Sequence, residues 1–508
     1  MSCICVVVLI ATCAVAQIGS SGGSSQGATA NQLPLSGKSG QAGSVTAIQT
    51  AVPGTTTSIN TVNPTVQVQG PFAGATRSTP GMFFSGTLTL AEAIQRGLQY
   101  NLGPVGLANA VRQAHGQSRV VRSSLMPNLN GTLAETVEQL DLKAQGLRLS
   151  SPIPGFSLPS IVGPFNFFDL RARLTQTVYD RAALNNFRSS AELVRANEFS
   201  VRDARDLVVL GVGGAYLQVI AARARVRSAQ AQLETADALY KQTSQQRQVG
   251  VVAQVDVDRS EVQLLTQKQR LVSLQNDLAK QKINLARMTG LPPTDQYDVA
   301  GEIPFSALPT LTLDDALQRA FHQRSDLKAA EAQIRAAQRT LTAARAERLP
   351  SASVSGDYGV IGTNPAQSHG TFTLTGTLRI PLWQGGRAEG DAEQAHATLA
   401  QREAERDDLK SQIEAEVRSA FLDLQAASSQ VEVAQRNIQV ATETVELTKQ
   451  RFQAGVTNNV ELVQAQESLA VADLDYINSL FAHNLAKLSL ARSMGSAAES
   501  LTQFLKMQ

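Results

Sequence analysis

The chain has 508 residues, 43% of them apolar but only 5% aromatic, which describes small and aliphatic side chains without the bulky groups that fill wide globular cores. Its 45 Lys and Arg nearly cancel 43 Asp and Glu, so the charge balance offers neither a basic footprint for nucleic acid nor an acidic tail. All three cysteines, Cys3, Cys5 and Cys13, fall in the first 13 residues, which excludes a thiol-based enzyme or thiolate metal site further along.

Residues 4–16 form an apolar run ending in Ala14-Val15-Ala16 before Gln17, the pattern of an export signal over residues 1–16 that is cleaved after small side chains. The run is too short to span a bilayer as a helix. Cys13, after Ile10-Ala11-Thr12, leaves open a second reading as a lipid-anchored chain. Residues 17–86 are rich in Gly, Ser, Thr, Gln and Pro and carry two charges, Lys38 and Arg77. Such a stretch buries too little to offset chain entropy, so it is expected to be disordered.

From Leu88 the chain is duplicated. Leu88-Thr-Leu-Ala-Glu-Ala-Ile-Gln-Arg96 matches Leu311-Thr-Leu-Asp-Asp-Ala-Leu-Gln-Arg319, and Pro127 matches Pro350 at the same offset. At a second, smaller offset Tyr216-Leu217 matches Phe421-Leu422, Gly250 matches Gly455, and Leu285-Ala286-Arg287 matches Leu490-Ala491-Arg492. Copy one (87–300) is therefore longer than copy two (301–500), and its Pro-rich stretch 137–164 is expected to be a loop insertion. Residues 501–508 form a tail.

Each copy reads helix, strand, strand, long helix, helix. Phe168, Leu170, Ala172, Leu174 and Val178 alternate with Asp169, Arg171, Arg173, Thr175 and Thr177. In copy two Phe372, Leu374, Gly376, Leu378 and Ile380 alternate with four threonines and Arg379. Partner strands are expected near 127–137 and 351–361, within strand pairs spanning 127–178 and 351–382. Strands of about ten residues, apolar on one side and polar on the other, fit a membrane barrel wall with lipid outside and water within. Four strands cannot close a barrel, and an open edge in lipid leaves backbone groups unpaired, so several chains must share one.

The long helices are expected over 182–249 and 387–454, each on the order of 100 Å. They are followed by helices at 254–289 and 459–494. In the first of these, Val257, Leu264, Leu271, Leu278 and Leu285 recur every seven residues, a seam for coiled packing. Each helix pair reverses at a glycine, Gly250 or Gly455, a residue suited to the C-cap.

With that order of parts, and with tips Arg247-Gln-Val-Gly250-Val-Val-Ala-Gln-Val-Asp256-Val and Arg451-Phe-Gln-Ala-Gly455-Val-Thr-Asn-Asn-Val-Glu461-Leu, the chain resembles the TolC-type outer-membrane efflux family. The resemblance implies a mainly α fold with membrane β: a two-repeat protomer whose trimer forms a twelve-stranded barrel continued by an α-helical barrel. It also implies a channel in the outer membrane, without enzymatic activity or cofactor, reaching through the periplasm to an adaptor and an inner-membrane pump of RND or ABC type. Adaptor contact carries over to Val249, Gly250, Val251, Ala253, Ala454, Gly455 and Val456, though glycine C-capping alone would also account for the tips.

The family narrows its mouth with aspartate rings, matched here by Glu461 and by neutral Gln464, so a cation-binding ring is expected to be weaker. An aromatic-hydroxyl to carboxylate link maps to Phe452 and Asp256, where the hydroxyl is missing. An Arg-to-hydroxyl link maps to Thr457 and Val255, where both partners are missing. Three copies of one carboxylate around an axis attract cations. Equally, Glu461, Asp256 and Asp258 fit solvated acids at helix starts. Lipid is expected at Phe168, Leu170, Leu174, Phe372, Leu374 and Leu378, and water at Arg171, Arg173 and Arg379.

Gly211-Val-Gly213-Gly214 suggests a phosphate loop, but no strand leads into it and copy two has Glu416-Val-Arg418-Ser419, so close helix packing is the expectation. The five histidines form no i,i+4 pair, and the single Trp383 sits at a strand end, suited to an interfacial belt or corner. An adhesin-like coiled coil would not need four amphipathic strands at matched places. A periplasmic hydrolase would show a convergent acid, base and nucleophile.

Overall fold

A computed structural model describes residues 43–51, 62–76, 86–144, 160–294, 296–303, 305, 311–454, 456–457 and 459–498. The signal peptide, Cys13, Gly455 and the tail lie outside the described residues.

The first elements correct the expectation that residues 17–86 are disordered throughout. Strands β1 (Val45–Ala51) and β2 (Val62–Val68) pair antiparallel, with Val45 opposite Val68 and Ala47 opposite Val66, and a 3-10 turn follows at Gly70–Ala73. Few apolar residues are available, but they alternate, and Val45 and Phe72 are buried in the main core. That shared burial supplies what the segment could not supply alone.

Copy one continues with β3 (Thr87–Leu88), α1 (Leu90–Tyr100), α2 (Leu102–Ser123), β4 (Asn128–Asp141), β5 (Ile161–Tyr179), α3 (Arg181–Gln248), α4 (Gln254–Thr289) and β6 (Asp298–Val299). Copy two repeats the pattern as α5 (Leu313–Gln323), α6 (Ser325–Ala346), β7 (Ser351–Gly362), β8 (His369–Arg379), α7 (Arg387–Gln453) and α8 (Asn459–Ser493). The single helix expected before each strand pair is two helices, because Asn101 and Arg324 take extended backbone angles and break it. Thr89 starts α1 with a capping box completed by Glu92. The stretch 137–164 is not all loop: β4 runs to Asp141 and β5 begins at Ile161, giving strands of 14 and 19 residues against 12 and 11 in copy two. Much of the extra length in copy one therefore extends the sheet.

The four long strands form one antiparallel sheet ordered β4-β5-β7-β8. The core lies elsewhere, in a belt where β3 pairs with β6 and where α3 and α8 are buried on all sides. The middle of α3 has the length and hydropathy of a membrane span, yet that window is 78% buried within the protein and serves as core. The seam of α4 behaves as its heptad spacing requires, with Val257 and Leu285 buried and Leu264, Leu271 and Leu278 half-buried. Tyr216 of α3, fully buried, sets its hydroxyl 2.9 Å from the Leu88 carbonyl and 2.8 Å from that of Ala300, tying the helix to both short strands.

Charges are buried in the same belt. Arg492 near the end of α8 donates to Asp203 of α3 at 2.6 Å, and Asp206 accepts from the Ala498 amide at 2.9 Å. Arg324 donates to Asp326 and to Glu416 of α7, each at 2.6 Å. Burial pushes the Asp203 carboxyl up to about 6; the charges on Arg492 and Arg324 oppose the rise, and those on Asp326 and Asp206 add to it. A carboxyl raised in the folded state and ordinary when unfolded costs stability at neutral pH, and the cost is relieved as pH falls through about 6. Asp326 runs the other way: burial would raise it, but Arg324 holds it low, so its contribution is lost only at more acidic pH. The detergent-solubilised protein is therefore expected to be more stable at pH 5 than at pH 8 by roughly 1 kcal/mol per protomer from Asp203. Thermal unfolding followed by circular dichroism checks this, and Asp203→Asn should flatten the pH slope even where it lowers the midpoint.

Candidate functional site

The sheet separates its residues by chemistry. Leu129 and Leu133 of β4 stand opposite Leu174 and Leu170 of β5, and Leu170 stands opposite Val360 of β7. Tyr358 and Gly356 then face Phe372 and Leu374 of β8. Alternation fixes all of these, with Phe168 and Leu378, on one surface. Phe372 and Leu374 are 79% and 74% exposed, far more than large apolar side chains tolerate in contact with water as a continuous patch. Phe168 is half-buried. The opposite surface carries Asp169, Arg171, Arg173, Asp357, Thr371, Thr373 and Arg379. There Arg171 bonds Asp357, lies 3.3 Å from Asp169, and donates to the Thr371 hydroxyl at 3.4 Å. Arg173 and Arg379 are exposed. Strands β4 and β8 are the sheet's two edges, and each has one side without a strand partner among the described residues.

At the corner between β8 and α7, Leu382 and Trp383 are 92% and 90% exposed; Tyr179 holds the matching corner at the end of β5. Aromatic side chains there suit the boundary between hydrocarbon and water.

The other end is made by the helix reversals. Beyond α3 the Val251 amide bonds the Gln246 carbonyl at 2.9 Å and the Gly250 amide bonds that of Arg247 at 3.0 Å, with Gly250 at φ 77. This is a glycine-terminated helix end whose carbonyls are satisfied locally. In copy two the Val456 amide closes the matching loop on Arg451 at 2.9 Å. Val249, Val251, Ala253, Ala454 and Val456 are all exposed, so both tips present small apolar side chains outward.

The structure brings the two tips together through a residue that sequence reasoning missed. Asn459, only 3% exposed, donates from Nδ2 to the main-chain carbonyl of Asp256 at 3.2 Å. Its signal in the sequence is slight: an asparagine pair before an apolar helix start. The Asp256 carboxylate bonds Arg259 at 3.4 Å. Thr457 donates its hydroxyl to Glu461, whose carboxylate also lies 4.0 Å from Arg451, while Gln464 is exposed one turn on. Phe452 is half-buried. The described link between tips runs through an amide and a backbone carbonyl, where the phenol-to-carboxylate link would need a hydroxyl that Phe452 lacks.

The family model described as outer membrane efflux protein matches residues 107–291 and 316–496, one stretch in each copy. The pyoverdine export outer membrane protein OpmQ of Pseudomonas aeruginosa is 24% identical over 432 residues, covering 82% of this chain and 86% of that protein. Outer membrane protein OprJ of the same organism is 26% identical over 406 residues, covering 76% and 79%. Among solved structures, the Campylobacter jejuni CmeC outer membrane channel superposes with a TM-score of 0.70 at 17% identity, covering 82% of this chain and 88% of that one. The VceC outer membrane protein of Vibrio cholerae gives 0.67 at 18%, covering 80% and 96%. Duplicated long helices, a four-stranded amphipathic sheet with open edges, and a family match across both copies make this chain a member of the outer membrane efflux protein family.

Proposed function

We propose that three copies of this chain close a twelve-stranded barrel in the outer membrane, continue it as a helical barrel through the periplasm, and act as the passive exit duct of a pump assembly. The observation that carries the reading is the sheet: one mainly apolar surface, with Glu135, Asn166 and Gln176 towards its ends, one charged surface, and two strand edges that hydrocarbon would leave unpaired at several kcal/mol per backbone group. Copies joined edge to edge, β8 of one to β4 of the next, put Phe168, Leu170, Leu174, Phe372, Leu374 and Leu378 against lipid. Arg171, Arg173 and Arg379 then face the bore.

In this reading the exposed apolar tips at Val249, Gly250, Val251, Ala253, Ala454 and Val456 receive a periplasmic adaptor that links the duct to an inner-membrane pump of RND or ABC type. Gly455 belongs to the same tip and lies outside the described residues. Glu461 rings the mouth three times over, with Gln464 neutral beside it. Asp256, Phe452 and Thr457 frame the gate, and Asn459 on the Asp256 carbonyl holds the tips in their present contact.

Leu374→Arg is expected to weaken barrel assembly by about 2–4 kcal/mol if the site lies near mid-bilayer. Loss of heat-resistant oligomer from membranes checks it, and unchanged oligomer would count against a lipid-facing Leu374. At the mouth, Glu461→Gln should reduce cation preference and divalent block in single-channel recordings; unaltered values would remove Glu461 from the constriction. Asn459→Ala removes one amide bond, worth about 0.5–1.5 kcal/mol, and should raise the open probability in the same recordings.

A further inference from the structure

The two copies diverge at matched positions in the belt, and the structure shows what fills each place. In copy two, Arg324, Asp326 and Glu416 join in one ion cluster. The copy-one residues that match them are Asn101, Gly103 and Gly211, and Gly214 stands where copy two has Ser419. Glycine inside a helix costs about 1 kcal/mol relative to alanine, so Gly211, Gly213 and Gly214 within one turn of α3 need a reason.

The reason is space. A Cβ on Gly214 would lie 2.4 Å from Cγ2 of Val66, one on Gly103 would lie 2.4 Å from two Phe72 ring carbons, and one on Gly211 would lie 3.2 Å from Cε of Met288 on α4 and 3.3 Å from Cγ1 of Val45. Gly213 makes room instead for Leu488 of α8, as close helix packing requires. The backbone is stitched to the same corner. Asn101 Nδ2 donates to the Phe72 carbonyl at 2.7 Å, the Leu102 amide to that of Gly74 at 2.9 Å, and the Thr76 amide to that of Tyr100 at 2.8 Å. The family model matches from residue 107 onward, beyond this segment.

We propose that residues 43–51 and 62–76 form a strap: it fastens the α1–α2 corner, α3 and α4 of copy one to each other, and touches α8, in the place where copy two uses an ion cluster. Gly103 and Gly214 are the seat hollowed for it, and the space at Gly211 is shared between Val45 and Met288 of α4. A cavity of about 200 Å³ remains between Val66, Val68, Gly211 and Met288, so the strap is held by a few inserted side chains and a handful of hydrogen bonds rather than by a filled interface.

Complementary size changes test this in the full-length, detergent-solubilised protein, read by hydrogen–deuterium exchange at the β2 amides. Gly214→Ala should speed exchange there about tenfold or more while β5 and β7 stay protected. Val66→Ala frees the space the new methyl needs, so the Gly214→Ala/Val66→Ala double variant should exchange at the rate of Val66→Ala alone. Unchanged β2 protection in Gly214→Ala overturns the proposal, as does a double variant in which the two effects simply add. Equal loss of protection in β5 and β7 overturns it too, since the glycine would then serve the whole fold. Conduction is not the readout, so failure here leaves the duct reading untouched.

Discussion

A peptide group has one place to send its hydrogen bonds in hydrocarbon, which is another peptide group. The organisation of this chain can be derived from that requirement. Its sheet is too narrow to curl onto itself, its two edges are open, and its exposed apolar surface does not suit water. The chain thus carries part of a wall rather than a wall.

Periodicity located the long elements within about a residue, because a helix of 68 residues without proline leaves an unbroken pattern and glycine marks its end. Strict alternation marked β8 to within about two residues, but in β5 it covered only Phe168–Val178 of a strand that begins at Ile161. What periodicity could not reach has a common physical cause, which is dependence on distant partners. Val45, Ala47, Val66 and Val68 are too few to read as a core until α3 is beneath them. Arg324 meets Glu416 and Ser493, and Asp203 meets Arg492, across separations that no local pattern carries. The described tip residues lie at the reversals, yet Asn459, the one that bridges them, shows nothing in its own neighbourhood of the carbonyl it finds.

Duplication leaves two similar frames, and the differences between them record the separate demands on each. Copy one has longer strands and a glycine-lined α3; copy two has shorter strands and charged residues at the same helical positions. Both solve one problem, filling the angle where a short helix turns into a longer one beside the belt. An apolar insert is indifferent to proton concentration, whereas a buried set of carboxylates and guanidinium groups is not.

The open edges of β4 and β8 carry one more consequence. In the proposed duct each edge must accept a neighbour's complementary edge before either strand can remain in oil, so a single defective subunit would spoil its companions as well as itself. When sound and damaged polypeptides are mixed, intact cylinders dwindle as a power of the healthy fraction instead of in proportion to it.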